Sequence, residues 1–238
     1  LGYLPQDFGY YPEFTGQDFL LYMSALKGLE KSYAKRKAKE VLESNVLGEI
    51  HHIKCHFSHY HPDASASYHG KLEHPLLSDV TIHHMDTARF LSGENPVRVW
   101  CREEAAEYCW YGKRPASATL ITEMSSNIRF LYDGTLAAPV STTDWNADWD
   151  IECDNGVLQI RPERIIVHRA MGDDGDAVVE EIKVDGIEAD SRIASLREAC
   201  MAIREGRKGE TDYEDNLKTF EWMEKAIESS GIQDWITI

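Results

Sequence analysis

The chain has 238 residues, 42% hydrophobic and 10% aromatic, which suits one large domain or one domain with a smaller piece and excludes a disordered polymer. A formal net charge of −16 excludes nucleic acid and anionic membrane surfaces as partners, because their phosphates would be repelled. No apolar run approaches the ~18 residues of a bilayer span and no signal peptide opens the chain, so direct membrane insertion is not expected and a cytoplasmic protein is.

The chain begins at Leu1 rather than Met, and a start upstream is expected. In the first 46 residues Thr15 caps a predicted helix that gathers Phe19, Leu20, Met23, Leu26 and Leu29 on one side, with Gly28 as its stop. A second helix is predicted from about residue 32 to 42, with the basic run "AKRKAK" on its wet face. Beyond residue 46 the texture becomes β-rich. In "EIHHIKCHFSHY" Ile53, Cys55 and Phe57 fall on one face and His52, Lys54, His56 and Ser58 on the other. The loop "HPDASASYHGKLEHP" leads into a predicted helix over residues 78–91, and strands are predicted at 96–103, 117–123 and 127–133. Turns are predicted at Ser125–Asn127, at Asp133-Gly134 and, as a hairpin, at Asp154-Asn155-Gly156. "VVEEIKVDGIE" reads as a further strand, and helices at about 191–205 and 212–229 close the chain, the second with a capping box from Thr211 to Glu214. The fold class expected from 47 onward is α+β, a large antiparallel or mixed open sheet with helices on one face.

Nine of the ten histidines lie between His51 and His84. His52 and His56 share a strand face but sit roughly 13 Å apart by the strand rise, too far for one metal ion, so they read as a polar face or as hydrogen-bond donors to a substrate. Asp79 and His83 differ, because four residues on a helix bring two side chains together. A carboxylate there favours the protonated ring and orients it for proton transfer, with Asp86 one turn beyond; the competing reading is a surface ion pair. No metal site is expected. Trp145 and Trp149, four apart on one predicted strand, suit stacking on a sugar ring or packing against helices. The five scattered cysteines contain no CxxC pair and read as reduced thiols.

Residues from about 47 to 230 resemble the C-terminal domain of the Gfo/Idh/MocA oxidoreductases. The likeness is carried by "LGEIHHIKCHFSHYHP", "HPLLSDVTIHHMDTARFLSGENPVRVWC", "TEMSSNIRFLYDG", "WDIECDNGVLQI" and "EDNLKTFEWMEKAIESS". The second is the most specific, placing Asp79, His83, Asp86, Phe90 and Leu91 on the family's Asp-x-x-x-His and Asp-x-x-x-Phe/Trp-Leu positions. The resemblance implies NAD(P)-dependent oxidation of a sugar or cyclitol, with His83 as the proton-transfer residue and Asp79 as its catalytic partner on the substrate hydroxyl. Lys54, His56, Trp145 and Asp86 are the candidate substrate-binding residues, and a homo-oligomer through the sheet is expected. The family's Rossmann domain, with its GxGxxG turn and Glu-Lys-Pro lysine, finds no counterpart in the sequence, so the cofactor NAD or NADP is expected to have no binding domain in this chain, and the chain by itself to be inactive.

Residues 1–44 resemble the Q-loop region of an ABC transporter ATPase, with Gln6 at the Q-loop position, but Walker A, LSGGQ and Walker B are missing. The expected organisation is a helical fragment at 1–46 and an oxidoreductase-like substrate and oligomerisation domain at 47–238. A truncated ABC ATP-binding subunit and a non-catalytic carbohydrate-binding or dimerising module are the alternative functions.

Overall fold

The alternation read in the first strand sets the centre of a nine-stranded sheet. In the computed structural model, which describes residues 33–172, 175, 177–183, 191–209 and 212–238, β1 (Ile50–Ser58) buries Ile53, Cys55 and Phe57 and turns Lys54 and His56 outward. The Gln6 segment and the helix expected after Thr15 lie outside the described residues.

Four helices and eight further strands follow: α1 (Tyr33–Glu43) before β1, then α2 (Ile82–Ser92), β2 (Pro96–Ala106), β3 (Gly112–Met124), β4 (Arg129–Thr135), β5 (Asp148–Cys153), β6 (Gly156–Arg161), β7 (Arg164–Ala170), β8 (Ala177–Lys183), α3 (Ser191–Glu205), α4 (Tyr213–Ile232) and β9 (Ile236–Thr237). The strand order is β8-β7-β6-β5-β1-β4-β3-β2-β9. β1 pairs parallel with β4 and antiparallel with β5, and the other pairings are antiparallel. A parallel pair needs a crossover, and here it carries the chain through α2 on the helix-covered side before β2, β3 and β4 are laid down. The α+β class and the mixed sheet match the sequence reading.

Helix α4 lies over β2, with Trp222, Met223 and Ala226 buried, and the Trp222 indole donates to Thr122 Oγ1 at 3.0 Å. Buried Arg89 ties α2 to α4, reaching the Asp215 carboxylate at 2.7 Å and Thr219 Oγ1 at 2.9 Å. α1 packs on the same side: Ala38, Leu42 and Leu47 belong to the core cluster. Its basic residues do not all face water. Lys35 is buried and donates to Thr87 Oγ1, and Lys39 donates to Phe90 O at the end of α2. The wet-face reading of "AKRKAK" is corrected for these two, because the seam between α1 and α2 offers oxygen acceptors that their long stems reach.

Three further turn and cap readings need correction or relocation. Asp133-Gly134 is no turn but the last part of β4, with Gly134 opposite Ala118 and Phe57. A Cβ at Gly134 would lie 2.3 Å from the Tyr132 hydroxyl, so glycine is there to let the buried Tyr132 ring fold over its neighbour. Helix α4 is capped by Asp212, whose side chain accepts from Glu214 N, and Thr211 lies outside the described residues. The 78–91 helix is not one regular element, since Leu77–Thr81 is a π-helical turn in which Ile82 N–H donates to Leu77 O. The Ser125–Asn127 turn and the Asp154-Asn155 hairpin are present as read.

Tyr132 cannot retreat, because its hydroxyl is engaged by Thr81 and His84. Gly134→Ala is therefore expected to lower unfolding free energy by about 1–3 kcal/mol, the usual range for overpacking, read from urea denaturation midpoints.

Candidate active site

Asp79 emerges from the π-helical turn ahead of α2 and is held by an adjacent loop. The Tyr68 hydroxyl donates to Asp79 Oδ1 at 3.1 Å, and His69 Nε2 lies 3.4 Å from Oδ2. Tyr68 and His69 share a short 3₁₀ turn, Tyr68–Lys71, capped by Ser67, whose hydroxyl accepts from His69 N. His61 stands beside them, its ring 5.0 Å from that of His69 and its Nδ1 2.5 Å from the Tyr111 hydroxyl. Burial first, and then Asp79, push the Tyr111 phenol up, so it stays protonated and donates to His61 Nδ1. Burial and the neighbouring His69 hold His61 below its ordinary value, leaving a neutral ring whose remaining N–H is on Nε2. Trp110 and Tyr111 stack at 3.9 Å, Trp145 lies 4.1 Å from His59, and Arg114 donates to His69 O at 2.8 Å. The result is one carboxylate among aromatic and imidazole rings with polar edges, suited to gripping hydroxyl groups and the apolar face of a small ring.

His83 follows Asp79 on the next stretch of helix, and among the described residues nothing hydrogen-bonds to its ring. The sequence reading expected the carboxylates to favour the protonated form. The opposite holds: burial first, and then the charge of Lys35, lower the His83 pKa against the pull of Asp79 and Asp86. Its neighbour His84 is structural. Nε2 donates to Trp145 O at 3.1 Å and Nδ1 accepts from the Tyr132 hydroxyl at 3.3 Å, which fixes the loop bearing Trp145 to β4. Burial brings the His84 pKa down to about 3.

The residues proposed from sequence are therefore divided. Asp79, His83 and Trp145 lie on the helix side. Lys54 and His56 do not join them; they face the open side of the sheet, because strand alternation places them opposite Cys55 and Phe57. There they line a pocket of about 540 Å³ with Asp133, Asp148, Asp150 and Arg161. Asp86 lines a separate cleft of about 320 Å³ with Lys39, Arg89 and Lys218. Trp145 and Trp149 do not share a strand face: Trp145 is in the loop before β5 and 52% exposed, whereas Trp149 is on β5 and fully buried. Sequence reasoning missed His61, Tyr68, His69 and Tyr111; the density of His and Tyr in "HYHPDASASYHG" was the available signal. Among the described residues no group of three or more His, Cys, Asp or Glu is arranged to hold a metal ion. No described helix is long and apolar enough to cross a membrane.

Residues 35–159 match the family model described as the GFO/IDH/MocA C-terminal domain. The chain belongs to this family. Among curated proteins it is 20% identical over 139 residues to the uncharacterized protein y4oX of Sinorhizobium fredii (strain NBRC 101917 / NGR234), over 57% of this chain and 38% of that one. An oxidoreductase from Agrobacterium radiobacter, solved in complex with NAD+, L-tartaric acid and magnesium, superposes with a TM-score of 0.76 at 20% identity, over 87% of this chain and 62% of that one. Levoglucosan dehydrogenase in complex with NADH and levoglucosan gives 0.72 at 14% identity, over 87% and 65%. The chain thus spans less than two thirds of the length of each of these three relatives, and likeness at such identities shows the fold.

The GFO/IDH/MocA fold family implies a nicotinamide cofactor, and the described residues do not fit one. A pyrophosphate sits on a glycine-rich helix start. Among the described residues, the capped start of α4 carries Asp212, Glu214 and Asp215, whose carboxylates repel phosphate, and α2 runs on from the π-helical turn, where Ile82 N–H is already taken by Leu77 O; neither start has a glycine.

The three depressed histidines, His61, His83 and His84, bind protons more readily once unfolded, so the stability they contribute is present above the ordinary 6.5 and is lost as pH falls below it, for His84 down to about 3. Unfolding free energy is expected to decline across that window, and His84→Asn to flatten the decline by up to ~1.4 kcal/mol per pH unit, one proton's worth. Chemical denaturation at a series of pH values measures both.

Proposed function

We propose that the chain is the substrate-binding and proton-transfer part of an NAD(P)-dependent oxidoreductase acting on a CH–OH group of a sugar or cyclitol. The observation that carries this reading is the placing of Asp79, on the family's motif position, within reach of Tyr68 and His69 and close to a half-buried, neutral His83. Asp79 accepts a hydrogen bond from one substrate hydroxyl while His83 meets the hydroxyl of the reacting carbon as a proton acceptor. His61 Nε2–H and the Trp145 and His59 rings orient the remainder of the ring. Levoglucosan, a neutral sugar, is the ligand of one structural neighbour, and a neutral polyol suits a site in which His61 and His83 are uncharged.

The dinucleotide is supplied by a domain outside the described fold, and the chain alone has no turnover. Self-association through the open sheet face completes this reading. There Trp100, Ile121 and Leu131 form an in-register apolar row that continues into Lys54 and Asp150, and such a row with a charged margin suits a second copy.

Calorimetric titration of the 238-residue chain with levoglucosan and with myo-inositol tests the site. Saturable heat is expected with at least one of them, and Asp79→Asn is expected to weaken it by about tenfold to a hundredfold, the worth of a hydrogen bond to a charged group. Absence of heat with both, or an Asp79→Asn chain that binds as well as the native one, overturns the reading.

A further inference from the structure

Lys35 is 8% exposed in the seam between α1 and α2. Its Nζ donates to Thr87 Oγ1 at 3.0 Å, and Thr87 Oγ1 in turn donates to His83 O at 2.8 Å, so the ammonium is tied to the turn of α2 that carries His83. Burying an ammonium is costly unless it is hydrogen-bonded or paired. Ala34, Ala38 and Leu42 close the rest of α1 against the core with apolar contacts, and a methionine would fill the same length.

The charge at Lys35 bears on His83, and on the buried His84 and Cys55 as well. Among the described residues, the charged groups that act on the His83 ring are Asp79 and Asp86 from its own helical segment and Lys35 from α1. The two carboxylates draw a proton onto the ring. Lys35 and burial oppose them.

We propose that Lys35 is a positioning residue of the site: from α1 it sets a positive charge near His83 that offsets Asp79 and Asp86, so the ring stays unprotonated and meets a substrate hydroxyl as an acceptor. This rests on the reading of His83 as the proton-transfer group, and it makes α1 part of the site's electrostatics rather than a leading appendage. Lys35 touches no reacting atom in this role; it acts through His83.

The test is an NMR titration of the His83 ring in the full chain, with the distant His168 as internal reference. Lys35→Met is expected to move the His83 midpoint upward towards the ordinary histidine value while His168 stays in place. Lys35→Arg, which keeps the charge, is expected to leave His83 at its native midpoint. Lys35→Gln can still donate to Thr87, so it retains the seam if the Met chain fails to fold, and it too is expected to raise the midpoint. A His83 midpoint unmoved in the neutral variants overturns the proposal, and so does an equal shift in Lys35→Arg, which would reveal a purely structural effect. Because the readout needs no substrate, its failure is distinct from that of the polyol titration.

Discussion

The parallel pairing of β1 with β4 is the constraint on which the molecule depends. Two parallel neighbours cannot be joined by a tight turn, so the chain leaves the end of β1, crosses the helix-covered face and returns through β2 and β3. Everything chemically distinctive lies along that detour or folds against it. The loop at 59–70 carries His61, Tyr68 and His69, the π-helical turn carries Asp79, and α2 carries His83. The β2–β3 connection brings Trp110 and Tyr111 alongside. The crossover is held by groups that leave little freedom: Arg89 anchors α2 to α4, and the Tyr132 hydroxyl meets Thr81 and His84 from below.

Charge balance rather than charge abundance then decides what the site can do. The chain as a whole carries −16, yet the site pairs a single loop-held carboxylate with imidazoles that burial keeps neutral. Desolvation outweighs the nearby acids because a ring removed from water loses more hydration as a cation than two partly solvated carboxylates restore. A neutral ring accepts hydrogen bonds, and a protonated one does not.

Much of this architecture was legible in the sequence. Strict alternation in "IHHIKCHFS" marked β1, the Asp-Asn-Gly triplet marked the β5–β6 hairpin, and Asp-x-x-x-His pointed to the segment that delivers the site. The failures are informative. Asp133-Gly134 has strong local turn chemistry, but the glycine answers to the Tyr132 ring two residues earlier, a packing demand that turn rules do not encode. The partners of His61 and Asp79 were hidden for different reasons: Tyr111 is fifty residues from His61, and the Tyr68 contact depends on a loop with no periodicity. Lys54 and His56 were grouped with Asp79 although the alternation of β1 already set them on the other face. The basic run of α1 read as solvated because composition does not reveal which lysine stems reach across a helix seam.

The wide turn at Leu77–Thr81 carries one residue more than a regular screw allows. The bulge absorbs that residue within one turn, so losing it would restore the ordinary pitch between the same flanking turns while changing which side chains the turn itself presents. Asp79 would point elsewhere, with its sequence spacing to His83 shortened and the core of α2 untouched. A helical wheel drawn across this segment consequently misjudges the direction of the carboxylate, and length conservation between residues 77 and 81 becomes as diagnostic of a working site as the identity of Asp79 itself.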